Sequence, residues 1–168
     1  MEIRNLNTLD AREYRKVRLE SLKKHPESFG SSYEEEKDLS IKYFKDKLSS
    51  PESFTFGAFD KHNELIGIVT LKKEYLIKLR HRANITAMYV SPLSRKTGIG
   101  RKLIATCIEK AKTLKEIEQI YLTVVTTNIA AKNLYSTLGF KSFSIEKRAL
   151  KLNNTYIDEE HMVLYIKQ

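Results

Sequence analysis

Tyr89-Val90-Ser91-Pro92-Leu93-Ser94-Arg95-Lys96-Thr97-Gly98-Ile99-Gly100-Arg101-Lys102-Leu103 is the stretch on which the reading of this chain turns. An apolar run, Ile85 to Val90, ends in a Ser-Pro turn. A short basic loop with the pattern Arg-x-x-Gly-x-Gly follows, and then a helical run from Arg101 to Lys112. A strand that feeds a helix through such a loop leaves the first backbone N–H groups of the helix without partners. Together with the positive end of the helix dipole, those orphan donors make an anion site. Gly98 and Gly100 let a bulky phosphate reach the main chain with no Cβ in the way. Arg95, Lys96 and Arg101 bring positive charge to the same place, so the loop suits a pyrophosphate. Neither familiar nucleotide pattern fits. No G-x-x-x-x-G-K-[ST] spacing occurs, and the third glycine of a dinucleotide fingerprint would fall on Leu103.

A second motif lies downstream. Asn128-Ile129-Ala130-Ala131-Lys132-Asn133-Leu134-Tyr135-Ser136-Thr137-Leu138-Gly139-Phe140 follows the strand-like run Ile120 to Val125. Asn128 reads as an N-cap and Gly139 as the glycine that closes the helix. Asn128 and Tyr135 fall within about 20° of one helix face and roughly 10 Å apart along the axis. One side of the helix therefore offers an amide and a phenol to an extended ligand.

Arg-x-x-Gly-x-Gly resembles the acyl-CoA-binding loop of the GNAT acetyltransferase superfamily, and N-x-x-A-x-x-L-Y-x-x-x-G-F resembles the segment after that family's fifth strand. The two occur in the family's order and spacing, and the resemblance covers essentially the whole chain. It implies acetyl-CoA as cosubstrate and direct transfer of acetyl to a primary amine in a ternary complex. The loop Arg95, Lys96, Thr97, Gly98, Ile99, Gly100 and Arg101 would hold the pyrophosphate, with Asn128, Ala131 and Tyr135 contributing from the later helix. The resemblance also puts the oxyanion donor on the backbone of Met88, Tyr89 and Val90, where the strand would bind the pantetheine arm as an added strand.

The chemistry of acyl transfer asks for a donor to the oxyanion, an acid for the departing thiolate and a base for the ammonium. Tyr135 is the candidate acid, since a free phenol, with pKa about 10, stays protonated at neutral pH. The base is open. Many family members carry a glutamate on the fourth strand, but the inward positions here are Asn84, Thr86 and Met88. Glu34, Glu35 and Glu36, in the loop between the first two helices, are the alternative, with Glu74 near the end of the third strand; so is deprotonation through water.

Along the chain, strands are expected at Met1 to Leu6, Phe54 to Asp60, Leu65 to Lys73, Arg82 to Val90, Ile120 to Val125, Lys141 to Lys147 and Tyr156 to Ile166. Helices are expected at Asp10 to Lys24, with Tyr14, Val17, Leu19 and Leu22 as its apolar face; from Ser40 through Leu48; at Arg101 to Lys112; and at Asn128 to Leu138. Ser28 to Lys37 reads as loop. The order strand, two helices, three strands, helix, strand, helix, two strands makes an α/β fold with a mixed sheet flanked by helices, which is the GNAT order. No repeat or linker interrupts residues 1–168, so one N-acetyltransferase domain is expected.

Composition bounds the rest. The net charge of +9 invites a nucleic-acid reading, but Lys and Arg are scattered, and coenzyme A is itself a polyanion. Direct nucleic-acid binding is therefore not favoured. The lone Cys107 excludes an internal disulfide framework and suits a reducing compartment. No 18-residue apolar run and no signal-peptide core occurs, so a cytoplasmic protein without membrane contact is expected, as monomer or homodimer. The four histidines lack metal-ligand spacing. Phe29, Tyr33, Glu34 to Glu36, Tyr43, Phe44, Tyr156, Asp158 and Glu159 would border the acceptor. Acid beside aromatic suits a small cationic amine, with a protein or peptide amine as the alternative. A coenzyme-binding module without turnover is the third reading.

Overall fold

The structure, a computed structural model, describes residues 1–167. Its elements run β1 (Glu2–Asn5), α1 (Ala11–Lys24), α2 (Tyr33–Glu36), α3 (Ile41–Leu48), β2 (Ser53–Phe59), β3 (Leu65–Lys73), β4 (Arg82–Val90), α4 (Ile99–Thr113), β5 (Gln119–Val125), α5 (Ile129–Thr137), β6 (Lys141–Leu152) and β7 (Thr155–Tyr165). The strands form one seven-stranded sheet in the order β1-β2-β3-β4-β5-β7-β6. Every neighbouring pair is antiparallel except β4 and β5, which are parallel. The mixed α/β sheet flanked by helices is the expected fold.

Two cores form because side chains of a strand alternate between faces. On β3, Val69 and Leu71 join Leu103, Ile104 and Cys107 of α4 on one face. Ile68, next to Val69, joins Tyr14 and Val17 of α1 and Phe44 of α3 on the other. Among the described residues no helix is long and apolar enough to cross a membrane.

The parallel pair is short. Only Arg82, Ala83 and Asn84 pair with β5, opposite Gln119, Ile120 and Tyr121. Beyond that point the strands part. On the β3 side, Thr86 pairs with Thr70 and Tyr89 with Ile68, so β4 carries one extra residue over this span. Ala87 absorbs it at φ 53°, in the left-handed region that favours glycine. The bulge turns the end of β4 away from β5 and opens a V between them.

Several expectations needed correction. The span Ser28 to Lys37 is not all loop, because Ser32 and Glu35 cap each other's backbone across a helical turn, Tyr33–Glu36. Leu19 is only half-buried, and Arg18 is instead enclosed at 5 % exposure. Helix α4 begins at Ile99, two residues earlier than expected, because Gly98 at φ 82° takes the N-cap position. Strand β6 runs past the expected Lys147 to Leu152, and β7 starts one residue earlier than expected, so the two meet at a tight turn, where Asn153 and Asn154 adopt φ 46° and 63°. Asparagine tolerates that region, and two such residues in succession suit a hairpin.

Arg18 is buried because Glu36, also at 5 % exposure, takes its guanidinium: Nη2 donates to Oε1 at 2.6 Å and Nε to Oε2 at 3.0 Å. The pair ties α2 to α1. Burial works against the Glu36 carboxylate, but the hydrogen bonds and charge of Arg18 more than offset it, so its pKa lies below the ordinary value. Losing one partner leaves a buried charge uncompensated, so Glu36→Ala is expected to cost about 3–5 kcal/mol in urea unfolding. The contribution of the pair is full above the unfolded glutamate pKa of about 4.3 and disappears as pH falls toward the lower folded value. The gap between wild type and Glu36→Ala therefore narrows in acid.

Candidate active site

The V between β4 and β5 is a small cleft lined by Ser28 and Phe29 from the α1–α2 connection, by Ile85 to Met88 of β4, by Leu122 to Val125 of β5, and by Asn128, Ala131 and Tyr135. The β4 edge past Asn84 has no ladder partner on this side, so its backbone groups face open space. An extended ligand can add there as a strand.

Tyr135 closes the cleft from α5. It is buried at 7 % exposure, packs edge-on against Phe140 at 6.1 Å, and has no protein hydrogen-bond partner for its hydroxyl among the described residues. Burial pushes its pKa up to about 12, so the phenol holds its proton across the working range of an enzyme. Asn128 caps α5, its side-chain oxygen accepting from the Ala131 N–H at 3.1 Å. The sequence placed both residues on one face, and both line the same cleft.

At the mouth of the V lies the glycine loop. The first α4 ladder bond runs from Lys102 N to Gly98 O at 3.1 Å. The backbone N–H groups from Lys96 to Arg101 have no acceptor among the described residues. This is a run of free donors at a helix N-terminus, the feature expected of a pyrophosphate cradle. A Cβ on Gly98 would meet nothing within 4 Å, but the residue's positive φ disfavours a side chain. A Cβ on Gly100 would lie 3.3 Å from the tips of both Leu134 and Met88, facing the junction of α5 and β4. The residues present therefore fit a diphosphate whose chain continues into the V.

The arginines divide their roles. Arg95 turns back to the sheet: its Nε donates to the Val90 carbonyl at 3.0 Å, its Nη2 lies 2.7 Å from His25 Nε2, and its guanidinium lies over the Tyr89 ring at 5.8 Å. It anchors the loop to β4. Arg101 donates to Thr137 Oγ1 at 2.8 Å, linking α4 to α5 across the cleft mouth. Lys96 and Thr97 are exposed on the loop, with Lys96 at φ 61°, while Ile99 is buried in the core below it.

The acidic triplet is engaged in structure. Glu34 pairs with Lys37, and Glu35 accepts from the N–H and hydroxyl of Ser32 at 2.7 and 2.8 Å. Those bonds hold the Glu35 carboxyl below its usual range. Glu36 is the buried partner of Arg18. None of the three lines the cleft. Glu74 accepts from the Asn84 side chain at 2.7 Å.

A second cavity, of about 550 Å³, opens beside the V and shares Val125 with it. Its walls are Glu27, the end of β5 through Thr127, and the β6–β7 turn from Leu152 to Asp158, including Tyr156. Asp158 is occupied there, accepting from Lys147 Nζ at 2.8 Å and from the Arg148 N–H at 2.9 Å, which hold its carboxyl below the usual range. Among the described residues the Glu27 carboxylate has polar contacts to His25 and Ser28 alone, each at 3.4 Å. Sequence reasoning missed Glu27 and Thr123, and no local pattern marks either one.

The comparisons agree with this geometry. The sequence profile of the acetyltransferase (GNAT) domain matches residues 3–161. An N-alpha-acetyltransferase from Sulfurisphaera tokodaii is 25 % identical over 139 residues, 70 % of this chain and 80 % of that protein. The fold superposes on a GNAT-family acetyltransferase from Streptococcus pneumoniae with TM-score 0.88 at 24 % identity, covering 98 % of this chain and 99 % of that one. A Salmonella typhimurium protein solved with its cofactor acetyl-CoA gives TM-score 0.87 at 15 % identity over 100 % and 95 % of the two chains. With the free-amide loop, the V and the family match in agreement, the chain belongs to the GNAT acetyltransferases, enzymes that move an acetyl group from acetyl-CoA.

Proposed function

We propose that the protein acetylates a primary amine, with the coenzyme in the V and the amine entering through the Glu27 cavity. The observation that carries the reading is the continuity of these parts. Free amides at Lys96 to Arg101 lead to an unpaired strand edge, which leads to the hydroxyl of Tyr135 in a cleft that shares Val125 with a second cavity. Each can do one part of acyl transfer. The loop amides bind the diphosphate, with Lys96 adding charge. The β4 edge orients the pantetheine arm, and a backbone N–H among Met88, Tyr89 and Val90 faces the thioester carbonyl, where it stabilises the developing oxyanion. Tyr135 donates to the leaving sulfur. Attack is direct: the lone cysteine, Cys107, is fully buried on the sheet-facing side of α4, and burial raises its pKa, so no thiol nucleophile is at hand.

The acceptor is proposed to be a small cationic amine. A cavity of this size holds a small molecule, and Glu27, with only weak partners of its own, supplies a carboxylate beside Tyr156 for an ammonium. A second reading, a peptide or protein N-terminal amine, is favoured by the N-alpha-acetyltransferase to which the chain is similar. A panel of polyamines, aminoglycoside-type amines, amino acids and short peptides, assayed for CoA release, separates the two. Transfer to no member of the panel would leave only the coenzyme-binding reading. The buried lone thiol suits work in the cytoplasm.

Tyr135→Phe is expected to lower kcat about a hundredfold, the low end for loss of a general acid, with acetyl-CoA affinity unchanged by calorimetry. Wild-type turnover in that variant would remove Tyr135 from the reaction.

Gly100→Asp places a carboxylate among the donors meant for phosphate. The neighbouring Leu134 and Met88 tips can shift, so the fold survives. Losing one or two charge-assisted hydrogen bonds, worth about 1.5–3 kcal/mol each, weakens acetyl-CoA roughly ten- to thousand-fold or more. Near-native affinity in a folded Gly100→Asp protein would overturn the placement of the coenzyme.

A further inference from the structure

We propose that Thr123, His161 and Glu146 form a proton relay that takes the proton of the attacking amine. The proposal rests on the reading that the coenzyme occupies the V. Thr123 lies on β5 just past Tyr121, where the strands part. It is exposed and lines the cleft. Its Oγ1 is 3.4 Å from Nδ1 of His161, its partner across the β5–β7 ladder. The Nε2 atom of His161 is 2.9 Å from Oε2 of Glu146 on β6. Three adjacent strands thus line up a hydroxyl, an imidazole and a carboxylate, running outward from the cleft.

The order of donors follows from the carboxylate. Ionised Glu146 can only accept, so Nε2 carries the proton of the neutral imidazole. That leaves Nδ1 as the acceptor for the Thr123 hydroxyl. The ring is held in place by Phe143, 6.1 Å away and itself packed edge-on against Tyr121 at 5.8 Å. An amine at the cleft passes its proton to Thr123 Oγ1 as Thr123 passes its own to Nδ1. The amine nitrogen is left with a lone pair for the acetyl carbon, and the imidazolium later releases its proton to water.

The charged groups facing the ring are Glu146 from β6 and Glu159 from β7. Tyr121 and Thr123 face it from β5 and carry no charge. Of the acids the sequence offered as bases, Glu35 is engaged in its cap, Glu36 with Arg18 and Glu74 with Asn84, while Glu27 lines the adjoining cavity, where it faces the ammonium. On the acceptor side β4 offers only Asn84 and Thr86. Thr123 is the catalytic group of the three; His161 and Glu146 act through it.

The test is the pH dependence of kcat/KM for the best amine of the panel, in His161→Gln, Thr123→Val and Thr123→Ser, with acetyl-CoA affinity measured alongside. His161→Gln and Thr123→Val should each fall about a hundredfold near neutral pH, the low end for a general base. The deficit should shrink toward alkaline pH, where the amine arrives already deprotonated. Thr123→Ser keeps the hydroxyl and should recover most of the rate, and coenzyme affinity should stay as in wild type. A deficit that is absent or does not change with pH, or a Thr123→Ser variant as slow as Thr123→Val, would overturn the relay while leaving the acetyl transfer intact. A wild type that binds acetyl-CoA but transfers to no amine fails the proposed function instead and takes the relay with it.

Discussion

The parting of β4 from β5 is the constraint on which everything else depends. Parallel strands inside a sheet normally pair along their length, because an unpaired strand edge in the interior leaves backbone donors and acceptors without partners. Here pairing stops at Asn84 and Tyr121, and a bulge at Ala87 holds β4 aside at the cost of a left-handed residue that is not glycine. Such strain persists only where the surroundings over-determine it. Those surroundings are the two cores: Ile85 is buried under α4, and Tyr89 is buried on the opposite face with its hydroxyl donating to Glu20 at 2.8 Å. Both ends of the bulge are fixed, so the edge between them stays open for a ligand's amides.

Helix α4 completes this arrangement. Its N-terminus is brought to the mouth of the V by the short turn after Val90, and Arg95 secures that turn by bonding back to the Val90 carbonyl. The free amides and the free strand edge are therefore neighbours by construction. A ligand with a diphosphate at one end and amides along its arm satisfies both sets of orphan groups at once. The basic character of the chain reads differently in this light. Arg18 and Arg95 are structural, joined to Glu36 and to the end of β4, and Lys132 is paired with Glu160. These cations hold elements together.

How legible the molecule was in its sequence depended on whether the requirement was local. Gly98 needs a positive φ and Gly100 a bare Cα within three residues of each other, and that pattern can be read directly. Asn128 and Tyr135 share a helix face by spacing alone. The cap formed by Ser32 and Glu35 was equally local, a Ser-x-x-Glu pattern, but the acidic run around it reads as a solvated loop. Arg18 could not be read so. A cation on the core side of an amphipathic helix is tolerated only because a carboxylate from a separate segment reaches it. Leu19 looked the better core residue until that partner was known.

The proton path was the least legible part, for the same physical reason. Its members sit at 123, 146 and 161, on β5, β6 and β7, and nothing in their spacing sets them apart from ordinary strand residues. They meet only because β7 inserts between β5 and β6, which sets Thr123 opposite His161 and leaves Glu146 within reach of its far nitrogen. The proposed coenzyme side of the site is built from contiguous segments that present backbone groups, and so it is written in short motifs. The acceptor side is assembled from side chains across the sheet. Such a side can change its chemistry by single substitutions on separate strands while the loop, the V and Tyr135 stay as they are. Asn84 and Thr86, which β4 turns to the acceptor side, therefore belong to the half of the site that the fold does not fix, whereas Met88, past the bulge, packs against the core under α4.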